Sequence, residues 1–206
     1  VINKCIWVVI VAYHPEAMNL KNICDTLVSS GAHIVIVDNT EKPINGLIAP
    51  SDKVELIELG YNSGIAHAQN IGTTHALNNE ASVVVYFDQD SIMDDKYLER
   101  LLEPFGDEDE LTVRVPVVCD SATGSSYPSI SVSKWGFSRK IFVNNSNTPV
   151  LTSIGVSSGT AVPSLIFTKV GLFDDSLFID YVDTEWFLRC RFYSIAVLVI
   201  PRAVLN

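Results

Sequence analysis

Val83-Val84-Val85-Tyr86-Phe87-Asp88-Gln89-Asp90 is the stretch whose reading decides the fold. An unbroken apolar run suits a strand covered on both faces, the kind found inside a parallel sheet. This strand stops on two carboxylates. Ile6 to Ala12 is another such run, and Ile34 to Val37 a third that ends in Asp38-Asn39. Pro15 and Glu16 open a helix whose apolar positions Leu20, Ile23, Cys24 and Leu27 share one face, and Gly31 supplies its stop. Val54 to Leu59 alternates as a strand does. Tyr61-Asn62-Ser63-Gly64 reads as a loop and N-cap for a helix from Ile65 to Leu77. A helix around Lys96 to Phe105 and an acidic loop, Asp107 to Glu110, complete this part. Repeated strand–helix winding predicts an α/β fold built on an open, mostly parallel sheet flanked by helices.

The character changes near Pro116. Ser, Thr, Gly and Asn dominate from Ser121 to Ser133 and again from Asn144 to Thr148, with short β segments expected between. Asp183 to Phe192 reads as a helix, and Ala196 to Ile200 as a last strand before Pro201. The expected division is therefore a half at 1–115 and a smaller mixed β region at 116–206. With no initiator Met and an end at Asn206 just after an apolar strand, we expect a piece of a longer protein lacking its C-terminal part.

Hydrophobic residues make up 48% of the 206 and charged ones 18%, enough to bury a core. The net charge of −10, with no Lys/Arg block, excludes a phosphate-backbone footprint and so nucleic acid as partner. An anionic ligand would need a cation or oriented backbone amides. Cys5, Cys24, Cys119 and Cys190 lie far apart without a CxxC pair, which fits reduced thiols in a cytoplasmic protein. No apolar run approaches the roughly 18 residues of a membrane span. His14, His33, His67 and His75 sit in separate elements without ligand-like grouping.

Open α/β sheets bind ligands at the carboxyl ends of their strands. Asp88 and Asp90 there make a hard-oxygen pair suited to Mg²⁺ or Mn²⁺ beside a diphosphate; they equally suit a solvated turn with Asp90 capping the next helix. Asp38 could accept the imino N–H of a pyrimidine or simply form a turn with Asn39. Asn62, Gly64, Asn70 and Gly72 bracket a helix start rich in small residues, which serves close ligand approach, tight packing on the sheet, or both. Asp183 is a candidate general base, or the N-cap of its helix. Glu185 lies about 200° around that helix from Asp183, four residues before Arg189, with which it can pair.

Taken in order, Val11-Ala12-Tyr13, Asp38-Asn39, Gly60 to Ala66, Phe87 to Ser91, Ser157-Ser158-Gly159-Thr160 and Phe178 to Trp186 resemble the family 2 glycosyltransferases of GT-A fold. Within these the series is similar to the bacterial dTDP-rhamnosyltransferases of O-antigen and capsule synthesis. The resemblance implies a Rossmann-like sheet, a nucleotide-sugar-binding half at 1–115 and an acceptor-binding half at 116–206. It implies inverting transfer of a sugar, L-rhamnose from dTDP-rhamnose, onto a growing cell-surface polysaccharide. Val11, Tyr13, Asp38, Asn62, Gly64, Asn70 and Asp88 would contact a dTDP- or UDP-sugar donor, with Asp38 on the pyrimidine. Asp88 and Asp90 would hold Mg²⁺ or Mn²⁺, and Asp183 would deprotonate the acceptor. Ser158, Gly159 and Glu185 would face a saccharide or lipid-linked saccharide, with peripheral association at the inner face of the cytoplasmic membrane. One departure is Val182, where the family's Glu-Asp pair has Glu.

Two rival readings use the same residues. A haloacid-dehalogenase-like phosphohydrolase would use Asp88 as nucleophile, Asp90 as general acid and Asp174-Asp175 on the metal. A non-catalytic nucleotide-sugar binder would need only the donor side.

Overall fold

The computed structural model describes residues 5–42, 46, 48, 51–103, 111–143 and 148–206. The acidic loop at 107–110 and residues 144–147 of the second polar tract lie outside these. The strands are β1 (Ile6–Ala12), β2 (His33–Asp38), β3 (Val54–Glu58), β4 (Val83–Asp88), β5 (Thr112–Val118), β6 (Ser129–Val132), β7 (Ser138–Ile141), β8 (Val150–Thr152), β9 (Ala161–Pro163) and β10 (Ala196–Leu205). The helices are α1 (Ala17–Ser29), α2 (Ile65–Asn78), α3 (Tyr97–Leu101), α4 (Ser164–Val170) and α5 (Val182–Phe192).

One eight-stranded sheet runs in the order β3-β2-β1-β4-β9-β5-β10-β8. β3, β2, β1 and β4 are mutually parallel, as are β5 and β10, while β9 is antiparallel to both β4 and β5 and joins the two blocks. The expected division at 115/116 passes through β5, so strands from both halves share this sheet. β6 and β7 form a separate two-stranded hairpin.

The unbroken apolar runs feed two cores, because alternate residues of a strand point to opposite faces. Val9 and Val11 join α2, α4 and α5 on one face; Val8, Ile10 and Ala12 join α1 and α3 on the other. Leu20, Ile23, Cys24 and Leu27 are the buried stripe of α1, and Gly31 at φ +89° follows its end. Burial pushes the Cys24 and Cys190 thiols up to about 12, which keeps them protonated as small hydrophobes.

Gly72 explains the small residues of α2. A Cβ there would stand 2.4 Å from Val9 Cγ1 and 3.2 Å from Val37 Cγ2, so the helix lies directly on the sheet. Gly72→Ala is expected to cost about 1–3 kcal/mol through overpacking. Thermal melting should register this as a midpoint lowered by roughly 2–10 °C; an unchanged midpoint would mean that the contact relaxes freely.

Two element ends depart from expectation by more than one residue. α3 stops at Leu101 rather than Phe105, because the residue before Pro104 is sterically barred from helical conformation. β10 does not stop at Ile200. It continues to Leu205 through a register shift between Ile200 and Val204, and Pro201, which has no N–H to give the ladder, lies in that gap.

Candidate active site

The carboxyl ends of β2, β1 and β4 line up, with Asp38 beside Ala12 and Asp88 beside Val11. The Val11 side chain is buried in the core beneath this edge, and Tyr13 follows it, exposed. Asp38 is buried; its Oδ1 accepts the Thr40 N–H at 3.0 Å, while its Oδ2 has no hydrogen-bond partner among the described residues. Asn39, next to it, organises the following loop. Its Oδ1 accepts from Ser63 N–H and Ser63 Oγ, both at 2.8 Å, and its amide donates to Asn62 Oδ1 at 3.1 Å. Asn62 Oδ1 also accepts the Gly64 N–H. Gly64, at φ +82°, has no room for a side chain, since a Cβ would stand 2.5 Å from the Phe178 carbonyl oxygen.

The β4 end is held from both sides. The Asp88 N–H donates to Ser158 Oγ at 3.1 Å, and that hydroxyl meets Ser91 Oγ at 2.9 Å. The Gln89 side chain accepts the Tyr13 N–H at 2.7 Å and donates to the Tyr13 carbonyl at 3.1 Å, tying the ends of β1 and β4 together. Asp90 is exposed and caps no helix; the next one, α3, has Lys96 at its N-cap position. The capping role open to Asp90 is thus not the one it has.

Nor is Asp183 a cap. The N-cap position of α5 is Tyr181, in the left-handed region at φ +65°, and Asp183 lies in the first helical turn. Its Oδ2 accepts the Ser157 N–H at 3.0 Å, and Ser157 Oγ in turn accepts from the Gln69 amide at 3.1 Å. Asp183 and Asp88 line one cleft of about 750 Å³, together with Ser157, Ser158, Tyr181 and Tyr127. Burial raises the carboxyl of Asp183 above its ordinary value, against the lowering effect of the Ser157 contacts. Asp88 is raised too: first by the dense protein wall around it, although its outer edge meets solvent, and then by the charges of Asp183 and Asp90, against the Ser158 hydrogen bond. Asp90 borders a smaller space of about 280 Å³ on the α1 side of the same turn.

Other expected site residues are used differently. The Asn70 amide bonds both ways with the Phe173 backbone, donating to its carbonyl and accepting its N–H, each at 2.9 Å, and also meets Asp175. It fastens α2 to the segment before α5 rather than presenting itself to a ligand. Glu185 forms a two-pronged pair with Arg189 at 2.6 and 2.8 Å and does not line the cleft. Gly159, also outside the cleft wall, is pinned: its N–H donates to the Tyr86 carbonyl at 2.7 Å, and a Cβ would strike the Tyr97 hydroxyl.

The profile of glycosyl transferase family 2 matches residues 8–161, which span β1 to β9 and include Asp38, Asp88 and Asp90. The chain belongs to glycosyl transferase family 2. This glycosyltransferase is 40% identical over 200 residues to "dTDP-rhamnosyl transferase RfbF" of Shigella flexneri, a match covering 97% of the chain and 67% of that protein. Its fold is similar to that of GalNAc-T7, crystallised with UDP, GalNAc and Mn²⁺, at TM-score 0.74 and 14% identity over 98% of the chain. It is also similar to S. aureus TarS, at TM-score 0.62 and 15% identity over 98% of the chain. The chain spans 43% and 36% of those two solved chains, less than half of each. The fold is thus α/β of the GT-A kind, and the phosphohydrolase and non-catalytic readings find no support. Asp174 and Asp175, which a phosphohydrolase would place on its metal, bond instead to Ser176 and to His67 and Asn70.

The donor set of this glycosyltransferase fits a divalent cation. Among the described residues no cluster of three or more His, Cys, Asp or Glu forms a complete metal cage. Mg²⁺ and Mn²⁺ do not require one, since one or two carboxylates plus substrate phosphate oxygens and water suffice. Asp88, Asp90 and Asp183 crowd negative charge together, and none forms an ion pair with a described Lys or Arg. Gln89, Asn39 and Gln69 are the positioning residues that sequence reasoning missed. For Asn39 and Gln89 the only signal was an amide standing next to a carboxylate at a strand end, as in Asp38-Asn39 and Asp88-Gln89; Gln69, inside α2, carries no such signal.

Proposed function

We propose that this chain carries out inverting transfer of L-rhamnose from dTDP-rhamnose to a hydroxyl of a growing bacterial cell-surface polysaccharide. The supporting observation is that Asp88, at a strand end shared with the donor side, and Asp183, on the first turn of α5, line one cleft. Asp183 accepts the acceptor hydroxyl's proton; the oxygen bonds to the anomeric carbon as the bond to the diphosphate breaks, releasing dTDP with inversion. Bound by Asp88 and Asp90, Mg²⁺ or Mn²⁺ would supply positive charge for the diphosphate. Asp38 takes the pyrimidine imino N–H on its unpartnered Oδ2, with Val11, Tyr13, Asn62 and Gly64 bordering the donor. Residues 1–115 thus serve the donor, and 116–206 the acceptor and the base, with Ser158 on the acceptor wall. The acceptor is a saccharide or a lipid-linked saccharide met at the inner face of the cytoplasmic membrane.

The reading is tested by incubating the chain with dTDP-rhamnose, dTDP-glucose, UDP-glucose and Mn²⁺ and measuring nucleotide release. Preferential release of dTDP from dTDP-rhamnose is expected; equal turnover of UDP-glucose would reject the donor assignment. Asp38→Asn keeps the Thr40 contact but can set an amide donor against the imino N–H. It is expected to weaken dTDP binding by about 10–100-fold in titration calorimetry; unchanged affinity would remove Asp38 from the base site.

A further inference from the structure

Charge is segregated in this acidic chain. Residues 121–173 contain no Asp or Glu, so all 24 acidic residues lie outside them, while Lys134, Arg139, Lys140 and Lys169 lie within. Three of those four cations sit on the β6–β7 hairpin. Its turn is well ordered by hydrogen bonds: Ser133 N–H to the Phe137 carbonyl at 2.8 Å, Gly136 N–H to the Ser133 carbonyl at 3.0 Å, and Phe137 N–H to Ser133 Oγ at 3.1 Å. Gly136, at φ +83°, permits the reversal. The turn holds Trp135 and Phe137 out in solvent, each 76% exposed, with Phe142 58% exposed just past the end of β7. Lys134 Nζ stands 5.3 Å from the Trp135 ring centroid.

Two ordinary explanations cover only part of this. Basic residues on a free outer strand discourage edge-to-edge pairing, which accounts for Arg139 and Lys140 on β7 but not for the bare aromatic rings. Scattered single apolar residues are normal on a surface, but Trp135 and Phe137 on one turn, in a segment with three cations and no acidic residue, form a patch. Exposed aromatics flanked by cations are the composition that binds the interface of an anionic bilayer. The location is also telling. The hairpin springs from the cleft wall, where Tyr127 and Ile130 line the same space as Asp88 and Asp183, and Ile130 bridges to Ile154.

We propose that the β6–β7 hairpin seats this protein on an anionic phospholipid bilayer. Trp135 and Phe137 enter the interfacial layer, Lys134, Arg139 and Lys140 meet the lipid head groups, and the cleft mouth faces the membrane. The bilayer contact stands on its own observations. Only its purpose, bringing a lipid-linked acceptor to the cleft, rests on the transferase reading.

Tryptophan fluorescence tests this directly, because Trp7 and Trp186 are 4% and 1% exposed and Trp135 alone can report a change at the surface. Vesicles of equal parts phosphatidylcholine and phosphatidylglycerol are expected to carry the chain in flotation and shift its emission to the blue. Pure phosphatidylcholine should do neither, and molar salt should reverse both effects. Arg139→Gln with Lys140→Gln should weaken binding about 30-fold, and Trp135→Ala with Phe137→Ala should abolish flotation with the anionic vesicles. Both variants should keep wild-type dTDP release with a soluble saccharide acceptor, which certifies their fold. The proposal is overturned by equal binding to neutral and anionic vesicles, by no binding, or by a blue shift from soluble saccharide alone, which would make the patch a glycan platform. Failure of rhamnosyl transfer with vesicle binding intact would reject the catalytic reading and leave this one standing.

Discussion

Asp183→Asn is expected to lower the transfer rate by about 10²–10⁴-fold while leaving the fold as stable as before, or more so. The substitution keeps an oxygen to accept the Ser157 N–H, so the local hydrogen bond survives. What it removes is the proton acceptor. Burial raises the Asp183 carboxyl above the ordinary aspartate value, so between the ordinary and the raised pKa the folded chain keeps a proton that the unfolded chain has released. Raising the pH through that window therefore weakens the fold, and above it the ionised Asp183 is a burden on stability. An uncharged amide relieves it. Catalysis has the opposite dependence: only the carboxylate is a base, so the wild-type rate should fall as pH drops through the raised pKa. Single-turnover transfer across pH, with thermal melts of both proteins, checks all three expectations. A variant that melts lower yet transfers at more than a tenth of the wild-type rate would identify Asp183 as a structural residue.

Asp90→Ala is expected to abolish the Mn²⁺-dependent part of dTDP binding, a loss above about 100-fold, since even outer-shell partners of a metal are worth 10–100-fold. The fold should be indifferent. Asp90 is exposed, forms no helix cap, and sits on a turn held instead by Gln89 and Ser158; surface changes of this kind usually cost little. Calorimetric titration of dTDP with and without Mn²⁺ separates this effect from that of Asp38→Asn, which should weaken binding whether or not the metal is present. If Mn²⁺ tightens dTDP binding equally in wild type and Asp90→Ala, the cation is held elsewhere.

Four of the residues named above could be placed in the fold from local signals alone. Asp38 and Asp88 each end an unbroken apolar run, and a carboxylate at the end of a doubly covered strand marks the ligand edge of a parallel sheet. Glu185 and Arg189 were legible as a pair because four residues is one helical turn, and the pair forms. Small residues on α2 indicated close approach, without saying to what. At Gly64 the neighbour is the Phe178 segment, and at Gly72 it is β1.

The sequence by itself determined the sheet, the two-faced core, the helices over it and the strand ends that carry Asp38 and Asp88, because backbone periodicity and side-chain hydrophobicity act within a few residues. The tertiary structure alone decided which carboxylates share a site. Ser157 meets Asp183 across 26 positions and Ser158 meets Asp88 across 70, joined by a two-serine bridge that enters the sheet through the antiparallel β9. No local pattern predicts such a bridge. Long-range packing also engages the Asn70 side chain with the Phe173 backbone and puts Asp183, which is not the cap of α5, on the wall of the cleft.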